Sequence, residues 1–445
     1  MAEEVWMLQT KKADFKQIGA RFRIDPVTAR IIRNRGIEGE AAIDRYLNGT
    51  LDDLYDPMLL KDMERAVSIL CEAVDTGKKI RIVGDYDIDG VCSTYILLQA
   101  FERLGSDVDF EIPDRIKDGY GINESIIEQA HADGVEVILT CDNGISAFHQ
   151  VELAKKYGMT VVITDHHEVP LDGEKEKIPP ADAVIDPKQA DCPYPFPEIC
   201  GAVVAYKLVQ VLYTRRGVPQ MEWLDLLEFA AIATVGDVMK LQDENRILVK
   251  YGLKKMAQTK NLGLRRLAEK NNLDLGAITA YHIGFVIGPC LNAGGRLKTA
   301  KEALALLRAQ SEEEAERLAE ELKELNDTRK DMTEQGTEAA KLQVESWYQK
   351  DKGLVVFLPE CHESLAGIIA GRLREYYQKP AIVLTRGEEA VKGSGRSIDE
   401  YHMFKKLTEV SDLLLKFGGH PLAAGLSLEE KNIDEFLSLI HISEP

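Results

Sequence analysis

The residues best suited to chemistry are an aspartate and two adjacent histidines in VVITDHHE, Val161 to Glu168, where an apolar β-branched run stops abruptly. A buried parallel strand delivers polar side chains to its carboxyl end in this way. Taken alone, the histidines read more readily as solvated loop residues than as a metal site, so the argument turns on partners. Three other segments offer them. IRIV (Ile80 to Val83) runs into GDYDIDG, with Asp85, Asp87 and Asp89 spaced by two, so an extended chain would aim all three to one side. VEVILT (Val135 to Thr140) stops at CDNG, which carries Asp142. The apolar stretch WLDLLEFAAIATVGDVM ends at Gly236-Asp237.

Carboxylates crowded together repel one another unless cations neutralise them or some hold protons. Aspartates and histidines without thiolates suit Mn²⁺ or Mg²⁺ better than a structural zinc. Two such ions roughly 3.5–4 Å apart clamp a phosphate and activate water for in-line attack. The bland reading makes each acid a helix N-cap or a turn residue. Four elements all ending in ligand-type residues weigh against it.

Anion-binding signals lie elsewhere. DRIKDGYGI sets Arg115 beside a glycine-flanked turn, and NAGGRL sets Arg296 beside two glycines. GSGRS places Ser394 and Arg396 on an expected loop, and GGHPLAAG offers Gly418, Gly419 and His420 in the same style. Glycines in such loops let backbone N–H groups approach an anion, although Gly-Arg loops are also ordinary turns. No G-x-x-x-x-G-K-[ST] pattern is present, so nothing supports ATP-driven work.

The elements that must position these residues alternate. Strands are expected at Ile80–Val83, Asp109–Asp114, Val135–Thr140 and Met159–Thr164, with helices at Thr94–Leu104, Glu124–Ala132 and up to Tyr157 between and after them. This pattern argues for an α/β fold with a doubly wound, mostly parallel sheet, whose strand ends share one edge. Before it lie small N-terminal helices and an amphipathic helix, Met63 to Asp75. After it come a proline-rich loop, Leu171 to Glu198, and a helical stretch. Ser311 and Glu314 form a capping box opening a long helix, with Ala315, Leu318, Leu322 and Leu325 on one face. That helix is expected to join the sheet domain to a smaller α/β domain, which starts at LVVFL (Leu354 to Leu358). The expected partition is 1–60 helical, 61–300 sheet domain, 301–350 linking helix, 351–437 second domain, and 438–445 a tail that need not be native.

Bulk properties bound the rest. The 445 residues are 45% hydrophobic and 29% charged, as in a globular protein of two or three domains. A net charge of −19 argues against a surface that is basic all over, not against a local basic groove. Seven scattered cysteines without C-x-x-C suggest neither a disulfide framework nor structural zinc. The acidic N-terminus lacks the features of a signal peptide, and no apolar run reaches membrane-spanning length, so the expected setting is cytoplasmic with no membrane partner.

Taken in order, GDYDIDG, DRIKDGYG, CDNG, TDHHE, GDVM and GGHPLAAG resemble the DHH phosphoesterase superfamily with its DHHA1 partner domain. Within it the chain is most similar to the RecJ group of bacterial single-strand-specific exonucleases. The resemblance implies hydrolysis of single-stranded DNA from its 5′ end to 5′-mononucleotides, in recombination and repair, with two Mn²⁺ or Mg²⁺ ions. It implies that Asp87, Asp89, Asp142, His166 and Asp237 hold the metals, with Asp142 bridging and Asp85 a further ligand or supporting acid. Asp165 would orient its neighbour, and His167 would contact the scissile phosphate. Arg115 would hold the DNA backbone. Arg296, Ser394, Arg396, Gly418, Gly419 and His420 would receive the 5′-phosphate. Single-strand-binding protein and a helicase are the expected partners of a monomer.

Two departures stand out. Ile88 replaces a more usual alanine, and Cys290 stands where arginine is common, removing one phosphate contact. Relatives usually continue into an OB-type domain, so the chain is expected to be a C-terminally truncated form. The alternatives are a DHH enzyme acting on short oligonucleotides or cyclic dinucleotides, and a non-catalytic scaffold.

Overall fold

The computed structural model describes residues 7, 11–115, 121–348 and 351–442. The chain divides into two compact units, with the change at Glu324/Leu325. The helix Glu312–Gln343 begins in the first unit and ends in the second.

The first unit is built on a parallel five-stranded sheet. Its strands are β1 (Ile80–Val83), β2 (Val108–Glu111), β3 (Val137–Cys141), β4 (Thr160–Thr164) and, after a short hairpin of β5 (Leu171–Asp172) and β6 (Lys175–Glu176), β7 (Ala183–Ile185). The order across the sheet is β2-β1-β3-β4-β7, every pair in it parallel. Strands with apolar neighbours on both faces read as continuous hydrophobic runs, and β1, β3 and β7 are buried throughout. The helices Glu124–Ala132 and Phe148–Lys156 cover one face with Ile126, Ile127, Ala130, Val151 and Ala154. The helices Ile88–Arg103 and Gly201–Arg215 pack together and against other strand positions. The sheet is therefore doubly wound, as expected.

Several expectations need correction. Strand β7 lies in the segment read as loop: three residues between prolines are too short to show a pattern. The helix after β1 starts at Ile88, not Thr94, because the Asp87 carboxylate caps it by accepting from the N–H groups of Asp89 and Gly90, at 2.8 and 3.2 Å. Asp85, Asp87 and Asp89 consequently do not lie on an extended chain. Their convergence comes from a strand end, a helix cap and a first helical turn. A helix Phe15–Phe22 precedes the two N-terminal helices that were expected. At the long helix the Ser311 hydroxyl accepts from Glu314 N–H (3.2 Å), but the Glu314 carboxylate receives the N–H of Gln310 rather than of Ser311.

The second unit carries a mixed sheet, β11-β12-β10-β9-β8, from β8 (Leu354–Phe357), β9 (Ala381–Arg386), β10 (Val391–Arg396), β11 (Leu414–His420) and β12 (Ala423–Leu428). Only β8 and β9 pair in parallel among these. The helix Ala366–Tyr377 packs on it through Ile369, Ala370 and Leu373. The fold is thus an α/β domain with a mostly parallel sheet, joined by a long helix to a smaller α/β domain. Among the described residues no helix is long and apolar enough to cross a membrane.

Candidate metal centre

The acids and imidazoles gather where β1, β3 and β4 end. Asp85 follows β1, Asp142 follows β3, and Asp165, His166 and His167 follow β4. Asp237 is the C-cap of the Leu227–Gly236 helix. Three groups have ligand atoms all within 4.8 Å of one another: Asp85, Asp87 and Asp142; Asp89, His166 and Asp237; and Asp142, His166 and His167. Asp142 and His166 each belong to two of them, so the groups form one cluster. His166 Nε2 lies 3.1 Å from Asp142 Oδ1, 3.4 Å from Asp89 Oδ2 and 3.8 Å from Asp237 Oδ2.

Asp89, Asp142 and Asp165 are held from outside the cluster. Asp89 accepts from the N–H groups of Gly201 (2.6 Å) and Ala202 (2.7 Å), the first turn of the Gly201–Arg215 helix. A helix N-terminus is a natural partner for a carboxylate. Asp142 sits at φ +60°, a left-handed conformation that aspartate tolerates better than most residues, and its N–H donates to Thr164 C=O at 3.1 Å. Asp165 is buried, accepting from Ile145 N–H (2.9 Å), His166 N–H (2.7 Å) and His167 N–H (3.2 Å). It also holds His167 Nδ1 at 2.7 Å. It belongs to none of the three groups, whereas His167 belongs to one.

The electrostatics explain what such a cluster needs. Burial, then the charge of Asp87, pushes Asp85 up to about 7. Burial, then Asp89 and Asp87, pushes Asp237 up to about 8. Burial and the charges of Asp89, Asp87 and Asp85 hold Asp142 well above the usual carboxylate range. Asp165 differs: burial opposes its ionisation, but the His167 hydrogen bond and charge keep it below its ordinary value. For His167 burial works against the proton, yet the Asp165 hydrogen bond and charge prevail and raise it to about 9. Burial lowers His166, whose Nδ1 is buried without a hydrogen-bond partner among the described residues.

Acids that hold protons against their ordinary values mark a site short of positive charge. Divalent cations fit: the donors are carboxylate oxygens and imidazole nitrogens, with a ring nitrogen still unsatisfied. Thiolates are not part of the set, since burial pushes the neighbouring Cys141 up to about 12.

The expected anion-binding residues fall into two sets. Arg115 stacks over Tyr86, 4.7 Å from the ring centroid, and both Arg115 and Arg296 act electrostatically on the Tyr86 hydroxyl. Residues 116–120 of DRIKDGYGI lie outside the described residues. Arg296 is not on a glycine loop but in the helix Gly288–Leu297. Gly294 and Gly295 serve close packing there: a Cβ on Gly294 would meet Thr299 C=O at 2.7 Å, and one on Gly295 would collide with Tyr86 C=O. Cys290 is buried in the same helix.

In the second unit the loops expected for GSGRS and GGHPLAAG are strands. Ser394 and Arg396 lie on β10, paired on both sides by β9 and β12. Gly418, Gly419 and His420 close β11, with Gly419 at φ +147°. On β10, pairing on both sides uses the backbone N–H groups that a loop would have offered to an anion, whereas β11 is an edge strand paired by β12 alone. Any anion contact from β10 therefore comes from side chains. Ser394 Cβ and the Arg396 guanidinium both lie against Gly367, where a Cβ would meet Arg396 Nη2 at 2.9 Å.

Three residues the sequence reading passed over also shape the site. Asn143 bridges the ends of β1 and β3, donating to Val83 C=O (3.0 Å) and Cys141 C=O (2.9 Å) and accepting from Ile122 N–H (3.2 Å). It was visible in CDNG, but only its neighbour was weighed. Gly201 leaves room for Asp142, since a Cβ there would lie 2.8 Å from Asp142 Cβ. Asp186, just after β7, is fully buried, its Oδ2 has no hydrogen-bond partner among the described residues, and it is pushed up to about 7 by burial and then by Asp165. The signal was VIDP, a strand end of the same kind as the others.

Known proteins resemble this chain in sequence and fold. Residues 79–234 match the DHH family, N-terminal domain, and residues 350–441 match the DHHA1 domain. The chain is 37% identical over 439 residues to the single-stranded-DNA-specific exonuclease RecJ of Bacillus subtilis, covering 98% of this chain and 54% of that protein. It is 37% identical over 434 residues to the RecJ of Escherichia coli, covering 93% and 74% respectively. The crystal structure of RecJ in complex with Mn²⁺ from Thermus thermophilus superposes with a TM-score of 0.81 at 31% identity, covering 96% of this chain and 60% of that one. The chain thus spans about half to three-quarters of the length of these relatives.

Proposed function

The chain belongs to the DHH/DHHA1 family, in its RecJ group, and from that premise we propose that it is a divalent-metal-dependent exonuclease removing nucleotides from the 5′ end of single-stranded DNA. The products are 5′-mononucleotides, and the setting is recombination and repair in the cytoplasm, alongside single-strand-binding protein and a helicase. The five-part division given above, and a monomeric state, belong to the same proposal. The observation that carries it is the linked cluster of Asp85, Asp87, Asp89, Asp142, His166 and Asp237, drawn from strand ends and helix ends.

Two Mn²⁺ or Mg²⁺ ions held by those six side chains would neutralise the scissile phosphate and acidify the attacking water. The protein's own groups do the rest. Asp142, in two of the three groups, would serve both ions. Asp89, anchored by the Gly201 and Ala202 N–H groups, keeps its oxygens in place without relying on substrate. The Asp165 hydrogen bond and charge raise His167 above its ordinary value, which favours a proton on both ring nitrogens. With Nδ1–H given to Asp165, its Nε2–H is the donor for a non-bridging phosphate oxygen, where charge grows during attack.

Arg115 and Arg296, gathered about Tyr86, supply positive charge for the DNA backbone. Ser394, Arg396 and the Gly418-Gly419-His420 strand end are offered as the anion-binding group of the second unit, acting chiefly through the Ser394 hydroxyl and the Arg396 guanidinium. Tyr281 and Phe285, stacked with ring centroids 4.8 Å apart and both largely exposed, suit unpaired bases. They flank Gly284, which lies near Val235 on the helix that ends at Asp237.

The test is digestion of a 5′-phosphorylated, 3′-labelled 30-mer with Mn²⁺. Mononucleotide release from the 5′ end, lost in Asp142→Asn and Asp89→Asn, is expected. Equal digestion of a strand with a blocked 5′ end would refute the polarity, and undiminished rates in both variants would refute the metal assignment.

A further inference from the structure

A second cavity lies away from the metal cluster. It has a volume of about 480 Å³, within the range of small-molecule sites. Its wall includes Glu228, in the first turn of the helix that ends at Asp237. The two acids are nine positions apart, with eight helical residues between them, so they stand about 13 Å apart along the axis.

Glu228 is only 4% exposed, and its Oε2 has no hydrogen-bond partner among the described residues. Oε1 accepts from the Thr259 hydroxyl at 2.7 Å. A buried carboxyl oxygen without a partner costs stability unless a ligand supplies the donor. Tyr95 and Phe229, with centroids 4.3 Å apart, form an aromatic part of the same wall. At another part of the lining, Lys255 and Lys260 both close on Asp225, at 2.5 and 3.1 Å. Two ammonium groups share one carboxylate, so that side carries an excess positive charge. Arg103 with Glu222, by contrast, is a one-to-one pair. The Lys255 charge is close enough to act on Glu228.

A ligand complementary to this lining has a flat ring with N–H donors at one end and an anion at the other. We propose that the cavity is a nucleoside-monophosphate site, with the base hydrogen-bonded to Glu228 and the phosphate at Lys255 and Lys260. Guanine fits best, since its adjacent ring N–H and amino groups match the two oxygens of one carboxylate. The exonuclease reading makes this ligand the class of its product, and a product-sensing role rests on that reading; binding itself does not.

The test is calorimetric titration of the chain at pH 8, where Glu228 can accept through both oxygens, in Mg²⁺ with GMP, guanosine and inorganic phosphate, repeated with Asp142→Asn. GMP is expected to bind saturably, with affinity unchanged within twofold in Asp142→Asn. Glu228→Gln, nearly isosteric, should weaken GMP at least tenfold without changing the exonuclease rate measured in parallel. Lys260→Ala, on a side chain 84% exposed, should weaken GMP but not guanosine. Undetectable GMP binding at millimolar concentration, full affinity in Glu228→Gln, or binding lost in Asp142→Asn would overturn the proposal. Loss of exonuclease activity in the wild-type chain would instead refute the earlier reading, and leaves this titration interpretable.

Discussion

Gly201→Ala probes the metal centre without touching an expected ligand. The added Cβ would stand 2.8 Å from Asp142 Cβ, 3.0 Å from its Cα and 3.0 Å from Oδ1. Non-bonded carbons rest at about 3.5–4.0 Å, so about 0.5–1 Å of separation must be found. Asp142 has little freedom, with its backbone in the left-handed region and its N–H on Thr164 C=O. The Gly201–Arg215 helix is tied through its first two N–H groups to Asp89. Whichever side yields, one carboxylate moves relative to the other. Overpacking of this kind costs about 1–3 kcal/mol, a fall of a few degrees in Tm for a unit of this size. A misplacement near 1 Å costs about 10²-fold in rate. The expected result is a kcat on the 5′-phosphorylated 30-mer reduced about a hundredfold, weaker Mn²⁺ binding by calorimetry, and a Tm within a few degrees of wild type. Wild-type kcat and Mn²⁺ affinity would refute the reasoning that Gly201 is there to seat Asp142.

Other perturbations follow from the same geometry. Asp142→Asn replaces a carboxyl that burial and its acidic neighbours force to hold a proton with an amide that needs none, so the metal-free variant should melt at or above the wild-type temperature while losing both Mn²⁺-induced stabilisation and nuclease activity; a metal-free variant that melts well below wild type would count against that cost. Tyr281→Ala with Phe285→Ala should raise KM for the 30-mer about tenfold or more, at about 1–3 kcal/mol per stacked base, with Tm unchanged because both rings are exposed; an unchanged KM removes them from the DNA path. Glu228 makes stability depend on pH. Burial, partly countered by Thr259, lifts it from 4.5 to about 7 in the folded chain, so the native state holds the proton more tightly than the unfolded chain. Its contribution is full below about 4.5 and is lost as pH rises to about 7, by at most about 3 kcal/mol at 1.36 kcal/mol per unit. Urea midpoints at pH 5 and pH 8 should differ less in Glu228→Gln than in wild type, and an identical difference would show that Glu228 ionises normally.

How much was legible in the sequence varied with the physics. Ile80–Val83 and Glu124–Ala132 were read with the observed bounds, because period, caps and breakers are local properties of the chain. The start of the Ile88–Arg103 helix was missed: nearly every side of it is buried, so no amphipathic period marks its first turns. Strand β7 was missed because its three residues form a strand only when β4 is alongside.

For the site, the sequence by itself determined the residue types and their order: acids and imidazoles where apolar runs end. Side-chain chemistry and the strand-end position are local, so Asp85, Asp142, Asp165, His166, His167 and Asp237 could be singled out. Only the tertiary structure decided which of them meet. It brought Asp89 into a group with His166 and Asp237, set Asp165 behind His167, and placed Gly201 against Asp142. Those contacts join positions tens of residues apart, and no local pattern encodes them. The glycines of β10 and β11 make the same point from the other side. A glycine-arginine run is compatible with a nest or a strand, and the pairing of neighbouring strands chose the strand.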